Sequence, residues 1–169
     1  EKNKRYNFDY LLNQDITQEE VFDVAGQRVI DGVLEGYNGT IFAYGITETG
    51  KTYSILGKYN FSKDYDENEE RGIIPRSLEK IFEHTVEDVE HEYTISIGFI
   101  QIYMEMIQDL LEPSNDYIKI RELAGKGVYV DNTTWIPVKN VKQAMRVFEN
   151  GEQNRATAFT SLNAHSSRS

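Results

Sequence analysis

The sequence predicts an α/β protein, a mixed sheet with helices on both faces, and three observations carry that prediction. Segments with the two-residue apolar period of strands alternate along the chain with segments of helical period. The run from Tyr93 to Tyr103 is nearly continuous in Ile, Phe and Tyr, the composition of a long strand covered on both faces. Finally, Gly45-Ile46-Thr47-Glu48-Thr49-Gly50-Lys51-Thr52 sets a glycine-framed turn between an apolar stretch and a segment able to open a helix.

Taken in order, Tyr6 to Leu12 alternates well enough for a short strand. Thr17-Gln18-Glu19-Glu20 is a capping-box signature, Thr at the N-cap and Glu three residues on. Behind it Val21, Val24, Ala25, Val29, Val33 and Leu34 recur at helical spacing, and Gly36 stops the helix. Thr40 to Tyr44 reads as a buried strand leading into the loop. An acidic insertion of about residues 57–71 follows, with Lys63 to Glu70 reading as a solvated loop. A helix resumes at Ile73, with Pro75 tolerated only in its first turn. Past the Tyr93–Tyr103 strand, Glu105 to Leu111 reads as a helical turn or two ended by Pro113. Ile118 to Arg121 and Val128 to Val130 flank Gly125-Lys126-Gly127 and form a hairpin. Asn140 caps a helix with Val141, Ala144, Met145 and Phe148 on one face; Gly151 is expected to end it, and Thr160 to Ser169 reads as a polar loop. Three long strands are too few to shield these apolar helices, so the chain is expected to be part of a larger domain.

Composition narrows the function classes. The chain has 169 residues, 39% of them hydrophobic, enough for one core. No apolar run approaches transmembrane length, and the opening Glu1 to Arg5 is charged rather than a signal peptide. Cysteine is absent, which removes disulfides, thiolate metal sites and cysteine nucleophiles together. His84, His91 and His165 are scattered, against transition-metal catalysis. The net charge of −10 argues against nucleic acid and anionic membranes as partners, and a cytoplasmic protein is the default.

The loop at 45–52 carries the chemistry. Its glycines let successive backbone N–H groups face one concavity, and a helix N-terminus adds partial positive charge. Lys51 has the reach for terminal phosphates, and the Thr52 hydroxyl suits a Mg²⁺ ligand.

Three further segments identify a family. Gly36-Tyr37-Asn38-Gly39-Thr40-Ile41-Phe42-Ala43-Tyr44 runs into the loop. Arg71-Gly72-Ile73-Ile74-Pro75-Arg76 follows the insertion. Asn154-Arg155 precedes Thr160, Asn163 and Ser166-Ser167-Arg168-Ser169. Together, and with Thr17 to Phe22, Ile102-Tyr103, Asp109 to Leu111 and Gly127 to Val130 in the same order, they resemble the kinesin motor domain over essentially the whole chain. The resemblance implies a P-loop NTPase-like mixed central β-sheet, here incomplete, and an ATPase whose partner is the microtubule (tubulin), with ATP/ADP and Mg²⁺ as cofactors. Gly45, Ile46, Thr47, Glu48, Thr49 and Gly50 would then wrap the phosphates. Lys51 would hold the β- and γ-phosphates, and Thr52 the Mg²⁺. Tyr53 stands where the family sets an aromatic or histidine ring against adenine, with ordinary helix-surface packing as the alternative reading. Residues 160–169 resemble the start of the first switch. Ser167 would sense Mg²⁺ and the γ-phosphate, Asn163 and Ser166 would position the attacking water, and Arg168 would pair with an acid of the second switch. The Val128–Val130 strand lies where the family makes a minor microtubule contact. Dimerisation would rest on segments outside this chain.

The loop also departs from the family. Ile46 replaces a usual Gln, and Glu48 a Gly or other small residue. At an effective dielectric near 20 and about 6 Å, a carboxylate beside each phosphate charge costs about 3 kcal/mol before screening. A Cβ at Glu48 adds strain where the family glycine serves positive φ. Glu48 therefore either weakens nucleotide binding or points outward, and a degenerate, non-catalytic kinesin-like scaffold is the rival expectation. The family's first strand and its second switch are expected outside residues 1–169.

Overall fold

The structure is a computed structural model that describes residues 5–58, 68–115, 118–125 and 127–166, with side chains described as far as Arg155. Most of the acidic insertion, 59–67, and the site candidates Ser167 and Arg168 lie outside the described residues. The chain divides into two compact units, Glu1–His91 and Glu92–Ser169.

In the first unit, α1 (Gln18–Ala25) starts where the capping box places it. Thr17 Oγ1 accepts the Glu20 N–H at 3.2 Å, and the Glu20 carboxylate accepts the Thr17 N–H at 2.8 Å. The hydrogen bonds from Thr17 hold the Glu20 carboxyl below its usual range. A depressed carboxyl stabilises the fold above its unfolded pKa, so the contribution of this cap fades as pH falls through the depressed value. Thr17→Ala should cost about 1 kcal/mol, read as a lowered thermal midpoint at neutral pH, with the deficit shrinking in acid.

The expected single helix over 18–34 is two helices, α1 and α2 (Gln27–Leu34), parted at Gly26. A Cβ at Gly26 would lie 2.5 Å from the Phe22 ring, so the glycine that lets the ring pack also weakens the helix. At the far end Gly36, at φ +97°, closes α2. The Gly36 N–H donates to Val33 O and the Tyr37 N–H to Gly32 O, the paired bonds of a Schellman stop.

Beyond the glycine-framed turn at 45–50 lie α3 (Lys51–Ile55) and α4 (Ile73–Glu87), the latter with Pro75 as its third residue. Phe22, Ile30 and Ile73 form the buried core of the unit, with Val21, Leu34, Ile41, Ile55 and Ile81 packed on it. The ends of the insertion are tied at Gly57, φ +80°, where a Cβ would lie 2.0 Å from Glu70 O; Gly57 bridges Arg71.

The two strands expected here do not form. Tyr6–Leu12 and Thr40–Tyr44 are irregular, with Phe8 73%, Phe42 80% and Tyr44 95% exposed. The hydrogen-bond ladder of a strand comes from a second segment, and among the described residues neither stretch takes part in one. Only Ile41 of the second stretch reaches the core.

The second unit holds three two-stranded antiparallel sheets and one long helix. β1 (Ile95–Ile97) pairs with β6 (Ile136–Val138), β2 (Ile100–Tyr103) with β3 (Met106–Asp109), and β4 (Lys119–Leu123) with β5 (Gly127–Asp131). The last pair is the expected hairpin. The expected continuous strand over 93–103 is broken between Ile97 and Ile100. Gly98 lies against the Trp135 ring, and Phe99 turns to stack on Phe148 with centroids 4.9 Å apart. The expected helix over 105–111 is strand β3. Met104 and Glu105 both take positive φ, 48° and 64°, and the primed turn they form folds β3 back onto β2. Apolar residues at 106, 107, 110 and 111 follow the helical period, and the tight turn overrides it.

Helix α5 (Val141–Ser166) starts at the Asn140 cap, whose Oδ1 accepts the Gln143 N–H at 2.9 Å. It does not stop at Gly151, and it extends into the stretch expected to be a polar loop. A Cβ at Gly151 would lie 2.1 Å from Phe99 Cδ1, so this glycine is a packing notch rather than a helix end.

Candidate phosphate-binding site

The loop between Tyr44 and α3 is shaped by its own short contacts. Gly45 has no room for a side chain, since a Cβ would meet Thr49 Oγ1 at 2.5 Å. That hydroxyl donates to Ile46 O at 2.8 Å. Gly50 caps α3 at φ +87°, a left-handed conformation that glycine adopts without strain. Glu48 adopts the same region at φ +68° but carries a Cβ, and its side chain is exposed. The position where the family's small residue was expected is therefore one whose backbone favours glycine.

Lys51 folds back over the loop. Its Nζ donates to Gly45 O at 2.9 Å and to Ile46 O at 2.5 Å, so the ammonium bridges the two carbonyls that open the turn. A cavity of about 520 Å³ is lined by Thr47, Glu48, Gly50, Lys51, Thr52 and Tyr53. The structure thus gathers most of the predicted loop residues around one opening, with Gly45, Ile46 and Thr49 forming its frame.

This donor set fits a polyphosphate. Lys51, the hydroxyl-bearing Thr47, Thr52 and Tyr53, and Gly50 line the cavity, and Glu48 is its discordant member. Among the described residues no group of three or more His, Asp or Glu could hold a metal ion. A Mg²⁺ here would rest on the Thr52 hydroxyl and on phosphate oxygens, the usual arrangement for this hard cation. Asn163 and Ser166 belong to α5, but their side chains lie outside the described residues, as Ser167 and Arg168 do entirely.

Sequence reasoning missed Gln18. Its side chain is buried at 5% exposure, and its Nε2 donates to Tyr53 O at 2.7 Å, tying the start of α1 to the first turn of α3. As the first residue of a capped helix it looked solvated. A second cavity of about 450 Å³ opens beside it, and Tyr53 lines both. Arg76, at the far side, is committed to structure, donating to Arg71 O and Glu69 O at 3.1 Å each.

An α/β chain with a GxxxxGKT turn, a left-handed glycine before a short helix and a lysine over the turn defines a phosphate-binding-loop protein. Comparison with known proteins narrows this class. The family model for the kinesin motor domain matches residues 1–169, and the chain belongs to that family. It is 41% identical over 170 residues to Kinesin-related protein 3 of Dictyostelium discoideum, covering all of this chain and 14% of that protein. It is 39% identical over 165 residues to the kinesin heavy chain of Syncephalastrum racemosum, covering 97% of this chain and 17% of that one. A solved structure of a fast kinesin, described with implications for ATPase mechanism and interactions with microtubules, matches with a TM-score of 0.85 at 37% identity. That match covers 94% of this chain and 44% of the solved one. The chain therefore spans less than half the length of each of these relatives.

Proposed function

We propose that the protein carrying this chain is an ATP-hydrolysing microtubule motor, and that residues 45–53 hold its nucleotide. The observation that carries the reading is Lys51, poised over a glycine-framed turn with its ammonium beside the cavity. ATP would supply the transferable phosphoryl group and Mg²⁺ the charge neutralisation. The residues of the chain bind and orient. Lys51 would hold the β- and γ-phosphates in place of the Gly45 and Ile46 carbonyls, Thr52 would offer its hydroxyl to the metal, and Tyr53 would face the adenine. By the family resemblance, Asn163 and Ser166 would help to position the water, Ser167 would sense Mg²⁺ and the γ-phosphate, and Arg168 would pair with an acid of the second switch. Positioning and charge suffice for phosphoryl transfer, so no further nucleophile is needed. Its place of work would be cytoplasmic microtubules, and no helix among the described residues is long and apolar enough to cross a membrane.

One observation favours a second reading, a non-catalytic kinesin-like scaffold: Glu48 sits at φ +68° on the cavity wall with its negative charge. Co-sedimentation with microtubules separates the two. The complete domain should pellet with microtubules in a non-hydrolysable ATP analogue and release in ADP; pelleting blind to nucleotide would support the scaffold. Residues 1–169 alone should stay in the supernatant at physiological salt and show no motor-like turnover, since their net charge of −10 opposes docking on acidic tubulin.

A further inference from the structure

Gln18 is a buried amide where a solvated side chain is the rule. It is the first residue of α1, yet it is 5% exposed, and among the described residues its Oε1 has no hydrogen-bond partner. A glutamine buried with half its amide unsatisfied costs stability that an apolar side chain of the same size would not. What the amide supplies is one bond, from Nε2 to Tyr53 O at 2.7 Å.

That carbonyl lacks a donor of its own helix. α3 is five residues long, too short to hold its shape alone. The N–H groups of Leu56 and Gly57 both donate to Thr52 O, at 2.8 and 3.3 Å, so the donor four residues beyond Tyr53 is taken. Gln18 Nε2 fills its place from a different helix, 35 residues earlier in the chain.

The helix that carries the amide is fixed at its start. The Thr17–Glu20 box holds the first turn of α1, and Phe22, one turn on from Gln18, is buried in the core of the unit. The far end of α3 is anchored through Ile55, packed on that core, and through Leu56 O, which accepts the Gly72 N–H at 3.0 Å. The near end carries Lys51 and Thr52 and follows Gly50 without a side-chain cap. The Gln18 bond, at the very next residue, ties that end to the capped start of α1.

We infer that Gln18 is a positioning residue for the phosphate loop: its amide fixes the first turn of α3, and with it the placement of the Lys51 ammonium and the Thr52 hydroxyl. The inference rests on the nucleotide reading above. It deepens that reading by giving a role to a residue of another helix, outside the loop. A displacement of about 1 Å in a binding group is enough to cost a site much of its function.

The test uses the complete domain as wild type, Gln18→Leu and Gln18→His. Leucine keeps the buried volume and removes the amide. The thermal midpoint should stay close to wild type, since losing the bond to Tyr53 O and losing the unsatisfied Oε1 offset each other. Histidine keeps an N–H donor at a similar reach. Mg-ATP affinity and single-turnover hydrolysis should each fall roughly 10-fold or more in Gln18→Leu, and Gln18→His should recover most of both. Magnesium tripolyphosphate, which has no base, should lose affinity in Gln18→Leu by the same factor as ATP, because the effect passes through Lys51 and Thr52. Wild-type affinity and hydrolysis in Gln18→Leu would overturn the inference, as would equal loss in both variants. A loss confined to ATP would also overturn it, since the effect would then lie at the Tyr53 ring. A wild-type domain that binds neither ligand would overturn the nucleotide reading itself, and this inference with it.

Discussion

Lys51→Ala in the complete domain should abolish microtubule-stimulated ATP turnover, a loss of about 100-fold or more. Removing a single preorganised charge donor from a phosphoryl- or acyl-transfer site typically costs that much. The geometry makes the loss larger rather than smaller. The ammonium already spans Gly45 O and Ile46 O, so its removal takes away the phosphate's counter-charge and unties the turn that should receive it. Affinity for nucleotide should fall together with turnover. Steady-state ATPase assays with and without microtubules make the measurement, and wild-type turnover in the variant would remove the phosphate-loop assignment.

Glu48→Gly should act oppositely, tightening Mg-ATP binding by about 1–3 kcal/mol. Two effects meet at this residue and they separate cleanly. Backbone strain at φ +68° is present with and without ligand when the loop keeps its shape, so its relief appears in the thermal midpoint and cancels from the affinity. Repulsion between the carboxylate and the phosphates exists only in the complex, so its relief appears in the affinity and shrinks as salt rises. Titrating ATP into both proteins at two ionic strengths, alongside melting curves, reads the two effects independently. A salt-insensitive, neutral change in affinity would place the carboxylate away from the phosphates. Weaker binding in the glycine variant would show Glu48 to be a contributor, for instance by orienting Lys51.

What was legible in the sequence was mostly local. The Thr17–Glu20 box, the Gly36 stop, Pro75 near the start of α4 and the Asn140 cap each depend on residues within one turn, and each stands as read. The shape of the turn at 45–52 was legible for the same reason. Its glycines and lysine act on their own backbone, and its misfit was readable too, since Glu48 occupies a left-handed backbone position.

Errors arose where distant residues decide. Gly151 read as a stop, and Gly26 and Gly98 stand inside an expected helix and an expected strand, but each makes room for an aromatic ring, Phe22, Trp135 or Phe99, and no local rule reveals that. Residues 105–111 carry an apolar pattern of helical period, and the turn with positive φ at 104–105 folded 106–109 back as a strand against it. Thr40 to Tyr44 has the composition of a buried strand, but ladder bonds come from a second segment, and among the described residues this stretch joins no ladder. Among the site candidates, Gln18 was missed because its burial depends on Tyr53 O, 35 residues away.

Titration of a fluorescent ATP analogue into the complete domain, with Mg²⁺ and with the metal chelated, tests the central claim most directly. The account predicts saturable binding that weakens sharply without Mg²⁺ and is lost in Lys51→Ala. Absence of binding at millimolar nucleotide, or binding indifferent to both the metal and Lys51, would contradict it.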